Sequence, residues 1–130
     1  MAEPGFPISR LKVRPDFLAA AKAPSCARGA VVLQARPRTD DSAQVRVGFT
    51  ATKKVGNAVI RNRAKRRLRE AARLLVPQFG APGHDYVLIA RAGAPRRAWS
   101  RLLDDVKTAL LSLRANSDSR APDGALPPKN

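Results

Sequence analysis

From Asn57 onward, Ile60, Ala64, Leu68, Ala71 and Leu75 recur at spacings of four, four, three and four, the period of a single helical face that must find an apolar neighbour. Gly56 gives the chain freedom to turn into this helix, Asn57 is a good cap for it, and Pro77 is expected to end it. The segments around it have other periods. Gln44 to Thr50 alternates, with Val45, Val47 and Phe49 on one face and Arg46, Gly48 and Thr50 on the other, which predicts a strand with a wet face. Ala30 to Arg36 holds the short apolar run Val31-Val32-Leu33, a candidate buried strand. A polar turn through Thr39, Asp40, Asp41 and Ser42 then joins the two segments as an expected antiparallel pair.

Asp85 to Ala90 contains Tyr86-Val87-Leu88-Ile89 and predicts a strand inside the sheet. Pro15-Asp16 opens a short helix over Phe17 to Lys22, with Pro24 stopping it. Trp99, Leu102, Leu103, Val106, Leu110 and Leu113 fall on the stripe of a last helix that should end near Ala115. The order helix, strand, strand, helix, strand, helix, with room for an additional short strand, indicates a mixed α/β or α+β domain. Residues 1–9 carry Pro4, Gly5 and Pro7 without periodicity and read as a flexible lead-in. Residues 115–130 read as a disordered tail rich in proline and polar residues. The domain proper is expected over residues 10–114.

Charge narrows the function. The chain of 130 residues carries a formal charge of +15, a field that favours a polyanion: nucleic acid, an anionic membrane surface or an acidic protein. No run of 18 apolar residues and no secretory layout is found, and Cys26 is the only cysteine, which excludes an internal disulfide and a Cys-rich metal site. The cytoplasm is the expected compartment.

Between Lys53 and Arg73 stand nine cations, Lys53, Lys54, Arg61, Arg63, Lys65, Arg66, Arg67, Arg69 and Arg73, against the single acid Glu70, a local charge of +8. Like charges at helical spacing repel by tenths of a kcal/mol per pair, and phosphates relieve that repulsion when they replace condensed counterions. Arginine adds a planar fork that grips phosphate oxygens two at a time. A solvated surface helix would mix both signs of charge. A membrane-surface helix would show bulky aromatic residues in its stripe, where this one has two alanines and no Trp or Phe.

The ungapped run from Val47 to Glu70, with Lys53-Lys54-Val55-Gly56-Asn57-Ala58-Val59 leading into Arg61-Asn62-Arg63 and then Lys65-Arg66, resembles the signature of the bacterial ribonuclease P protein family. Phe17 after Asp16, and Asp85-Tyr86 leading into Ile89-Ala90-Arg91, add to the likeness, which spans about residues 10–114. The resemblance implies an α+β two-layer sandwich with a central sheet of about four strands, three helices and a left-handed β-α-β crossover at the basic helix. It implies a protein subunit that binds the catalytic RNA of ribonuclease P and the 5′ leader of precursor tRNA. The enzyme removes that leader by Mg2+-dependent endonucleolytic cleavage, with the ion bound mainly by the RNA and one protein and one RNA per holoenzyme. Lys54, Asn57, Arg61, Asn62, Arg63, Lys65, Arg66 and Arg69 match the family's surface for the catalytic RNA. Phe17, Lys53 and Arg91 match its leader cleft, where Phe17 could stack a base or simply serve the core. Further aromatic positions of that cleft, one on the helix and others on the neighbouring strand, fall here at Ala21, Ala30 and Gln34, which favours binding by charge over stacking.

The residues offer the chain no catalytic centre of its own. Asp40-Asp41 and Asp104-Asp105 are neighbouring acids expected in solvent, and His84 is the sole histidine, read as a loop residue. A structural RNA-binding protein of ribosomal type and a binder of anionic membranes remain the readings from other classes.

Overall fold

The computed structural model describes residues 8–119, with side chains described to Arg114. Strands β1 (Ile8–Arg10), β2 (Ser25–Arg28), β3 (Val31–Pro37), β4 (Val45–Ala51) and β5 (His84–Ala90) and helices α1 (Arg14–Ala21), α2 (Ala58–Phe79) and α3 (Trp99–Ser119) follow one another as β1-α1-β2-β3-β4-α2-β5-α3. The sheet has five strands in the order β1-β4-β5-β3-β2. The two strands that the sequence pattern does not mark lie at its edges. β2 fills the room left for a short strand, and β1 brings Ile8 and Ser9, assigned to the lead-in, into parallel register with Val45 and Arg46. The rest of that lead-in and the tail from residue 120 lie outside the described residues.

The expected antiparallel pairing of β3 with β4 does not occur. β5 lies between them, antiparallel to β3 and parallel to β4, with Leu88 opposite both Leu33 and Phe49. The most continuous apolar run takes the centre because it is buried on both faces, and the connection from Arg38 to Gln44 is long enough to step across one strand. α2 is the crossover between parallel neighbours β4 and β5.

One sheet face carries the main core. Val31, Leu33 and Ala35 of β3, Val45 and Val47 of β4, and Tyr86, Leu88 and Ala90 of β5 pack against Ala64, Leu68, Ala71 and Leu75 of α2 and Leu102, Val106, Leu110 and Leu113 of α3. Burying each of the large side chains stabilises the fold by about 1.5–3 kcal/mol. Of the two stripes, the leading residues are the most exposed: Ile60 and Trp99 are 38% and 37% exposed, at the start of helices whose first turns project past the core. Pro77 does not end α2, which runs on to Phe79 before Gly80 leaves it. α3 likewise extends past Ala115 to Ser119, into the segment assigned to the tail.

The opposite sheet face is covered only by α1 among the described helices. Phe17 and Ala20 meet Leu11, Val87 and Ile89 in a small second cluster. Gly48 of β4 makes this approach possible, because a Cβ there would lie 2.6 Å from two ring carbons of Phe17. α1 has only Ala20 fully buried, so polar contacts supplement its anchorage. Asp16 in its first turn takes a hydrogen bond from Arg46 at 3.1 Å, and Arg46 grips Asp85 through Nε and Nη2 at 2.8 and 2.7 Å.

Candidate nucleic-acid interface

The sequence places the cations of the 53–73 segment alike, and the structure divides them. Arg67 is committed to the fold: its guanidinium donates to the carbonyls of Ala94 and Arg97, each at 2.6 Å, and lies 5.7 Å from the ring of Trp99. Arg73 pairs with Glu70, which holds that carboxyl below its usual range and raises the guanidinium. Arg61 folds back to the Gly56 carbonyl at 3.0 Å, closing the turn where Gly56 adopts φ 146°. Asn57 caps α2, its Oδ1 accepting the Ile60 N–H at 3.0 Å. The amide therefore has a structural task independent of any ligand.

Lys54, Arg63, Lys65 and Arg66 have neither a hydrogen-bond nor an ion-pair partner among the described residues. Asn62, Lys65, Arg66 and Arg69 line one open groove with Val59, along the exposed flank of α2. Arg63 lies one turn before Arg67 on the flank towards α3. The α2 ridge thus presents a row of cations and an amide to solvent, with Glu70 its single acid and Arg73 as that acid's partner. Such a surface matches a polyanion whose charges are regularly spaced.

The second candidate surface is a cleft of about 490 Å³ between α1 and the open sheet face, lined by Lys12, Arg14, Phe17, Ala21, Gln34, Thr50 and Ile89 among others. Phe17 forms part of its wall while packing on Gly48, so the ring serves the small core and borders the cleft at once. Ala21 and Gln34 occupy the cleft as expected, but Ala30 does not. It is buried in the main core, with its N–H donating to Asp105 at 3.1 Å in the β2–β3 turn. Lys53 and Arg91 are exposed and stand just past the ends of β4 and β5, outside the cleft lining. Arg91 points its guanidinium at the Gly29 carbonyl, 3.4 Å away. Lys12 and Arg14, which do line the cleft, are not singled out by the sequence. Their only signal there is two cations flanking the start of a helix whose partner face is unknown.

A third arginine group is internal. Asp85 is 0% exposed and accepts from Arg36 at 3.2 Å and Arg38 at 2.9 Å as well as from Arg46. Burial alone would push its carboxyl up, but the hydrogen bonds from Arg46 and Arg38 outweigh burial and hold it below the ordinary value. Asp105, expected in solvent, is also buried. It receives Arg97 at 2.6 and 3.0 Å, fixing the loop before α3 and the β2–β3 turn together. Among the described residues no three His, Cys, Asp or Glu side chains form a metal-binding group. No helix among them is long and apolar enough to cross a membrane.

The family model described as Ribonuclease P matches residues 7–114. The chain belongs to the ribonuclease P protein family. It is 65% identical over 123 residues to the ribonuclease P protein component of Caulobacter vibrioides, covering 90% of this chain and 83% of that one. With the Ruegeria pomeroyi protein component it shares 56% over 110 residues, 83% of this chain and 88% of the relative. The fold agrees with two solved ribonuclease P proteins. That of Staphylococcus aureus superposes with a TM-score of 0.67 at 27% identity, over 81% of this chain and 94% of the other. That of Thermotoga maritima gives 0.64 at 26% identity, over 79% and 96%. Membership makes this chain a protein component of ribonuclease P, the ribonucleoprotein that processes the 5′ end of tRNA, and decides against the ribosomal-type and membrane readings.

Proposed function

We propose that the α2 ridge is the surface on which this chain docks to the catalytic RNA of ribonuclease P, and that the α1 cleft receives the single-stranded 5′ leader of precursor tRNA. The observation that carries this reading is the row of cations on α2 with no acidic partner among the described residues, in a protein that gathers Arg36, Arg38 and Arg46 on the buried carboxylate of Asp85. Lys54, Arg63, Lys65, Arg66 and Arg69 neutralise phosphates, while Asn62 can donate to and accept from RNA hydroxyls. Arg61 and Asn57 shape the turn that aims the ridge, and their exposed edges contribute contacts.

In the cleft, Lys12 and Arg14 supply charge, Phe17 an aromatic edge, and Gln34 and Thr50 polar groups for a strand with unstacked bases. Lys53 and Arg91 extend the positive path beyond the strand ends. The hydrolytic centre belongs to the RNA, which holds the Mg2+, and the protein contributes grip on the substrate. The holoenzyme contains one protein and one RNA and works in the cytoplasm. The test is cleavage of precursor tRNA by the cognate catalytic RNA at low magnesium, with and without this chain. Strong stimulation is expected, and its absence would remove the proposal.

A further inference from the structure

Between the edge strand β1 and helix α2 lies a cavity of about 270 Å³ that shares Arg69 with the α2 groove and Phe49 with the α1 cleft. Its apolar bed is made by Ile8, Val47, Phe49 and Ala72, and Arg10 and Arg69 stand at its rim. Both guanidiniums lie over the Phe49 ring, at 6.0 and 5.8 Å from its centroid. Neither arginine has an acidic partner among the described residues, whereas Arg73, at the far side, is paired with Glu70. Ile8 is 39% exposed at the mouth. An apolar slot next to an aromatic ring, rimmed by two free cations, has the chemistry of a nucleotide: a planar, weakly polar base joined to an anionic phosphate.

Charge selects the source of that nucleotide, because the Phe49 ring also borders the α1 cleft and does not by itself choose between the two RNAs. Arg69 borders this cavity and also the groove of Asn62, Lys65 and Arg66, so one side chain touches both. We propose that the cavity accepts a single unpaired base of the catalytic RNA, turned out from the strand whose phosphates lie along α2. Arg69 and Arg10 hold the flanking phosphates, and Phe49 and Ile8 hold the base. The inference rests on the docking surface assigned to α2 above and adds a base-binding site to it.

Three variants separate the possibilities: Ile8→Asp, which sets a negative charge at the exposed mouth, Phe49→Leu, which removes the ring, and Arg66→Ala on the ridge as comparator. Binding of each to the catalytic RNA alone is measured at fixed moderate salt, alongside holoenzyme affinity for precursor tRNA and for tRNA without a leader. Ile8→Asp and Phe49→Leu are each expected to weaken binding to the catalytic RNA about tenfold, within the range of one lost base stack. Loss with Arg66→Ala but not with Ile8→Asp would overturn the cavity and leave the ridge intact. Loss with none of the three would overturn the ridge reading itself. Weakening confined to leader-bearing substrate would overturn the assignment to the catalytic RNA. Ile8 is a surface residue of an edge strand, so Ile8→Asp keeps the test decisive even where Phe49→Leu disturbs packing. A positional readout comes from the double variant Ile8→Cys, Cys26→Ser, with an arylazide attached to its one thiol. A crosslink to the catalytic RNA is expected, and one only to the leader would contradict the proposal.

Discussion

Two groups of cations in this molecule have opposite fates. Arg36, Arg38 and Arg46 converge on the buried carboxylate of Asp85, with Asp16 and Asp40 taking further bonds. Arg63, Lys65 and Arg66 of α2 face solvent with no acidic partner among the described residues. The first group ties three strands to α1 and spends its charge internally. The second leaves its charge for a partner. A cation count along the chain treats the two groups as equal, and only the position of the acids tells them apart.

The largest effect should come from breaking the internal group. Asp85→Ala strands three guanidiniums around an empty site and is expected to cost about 3–5 kcal/mol in urea unfolding. A loss under about 1 kcal/mol would show that the cluster is not structural. Acidification tests the same carboxylate without mutation. Its folded-state value lies below the unfolded one, so its stabilisation is present above the unfolded value of about 3.9 and is lost as pH falls through the lower folded value. Unfolding monitored against pH should show this acid-side loss in the wild type, and Asp85→Asn should flatten it.

Gly48→Ala comes next. The added Cβ collides with Phe17, so α1 must shift, at a cost of about 1–3 kcal/mol in stability. Affinity for leader-bearing substrate should fall more than affinity for the catalytic RNA, because the cleft moves and the ridge does not. Equal losses in both assays would place the cleft elsewhere. Asn57→Ala should cost about 1 kcal/mol of stability through its lost cap, and Asn57→Asp should restore most of it. If Asn57→Asp also restores RNA affinity, the residue acts by shaping the turn. If it does not, the amide contacts RNA directly.

What is legible in the sequence follows from which interactions are periodic. α2 and α3 are readable because each repeats a side-chain type at helical spacing, and the two faces of β4 because Val45, Val47 and Phe49 alternate with Arg46, Gly48 and Thr50. Periodicity assigns a face but not a neighbour, so the place of β5 between β3 and β4 is hidden. β1 and β2, of three and four residues, are too short to show a period. Asp85 looks like the first residue of a strand because its partner Arg46 stands 39 positions earlier in the chain. The basic ridge is legible since its residues are contiguous. That Arg67 serves Ala94, Arg97 and Trp99 is not, because those partners arrive only when the chain leading into α3 folds onto α2.

The contrast between spent and available charge is tested most directly by the salt dependence of binding to the catalytic RNA, for the wild type and for a variant with Arg63, Lys65 and Arg66 all changed to Ala. The wild type is expected to lose roughly 10³–10⁵ in affinity between about 50 and 200 mM salt if it contacts about 6–10 phosphates. The triple variant should keep its unfolding free energy within about 0.5 kcal/mol per site, while its log–log slope becomes shallower by about 2–3. Parallel slopes for the two proteins would mean that these cations do not meet the RNA, and the account of the α2 ridge would be wrong.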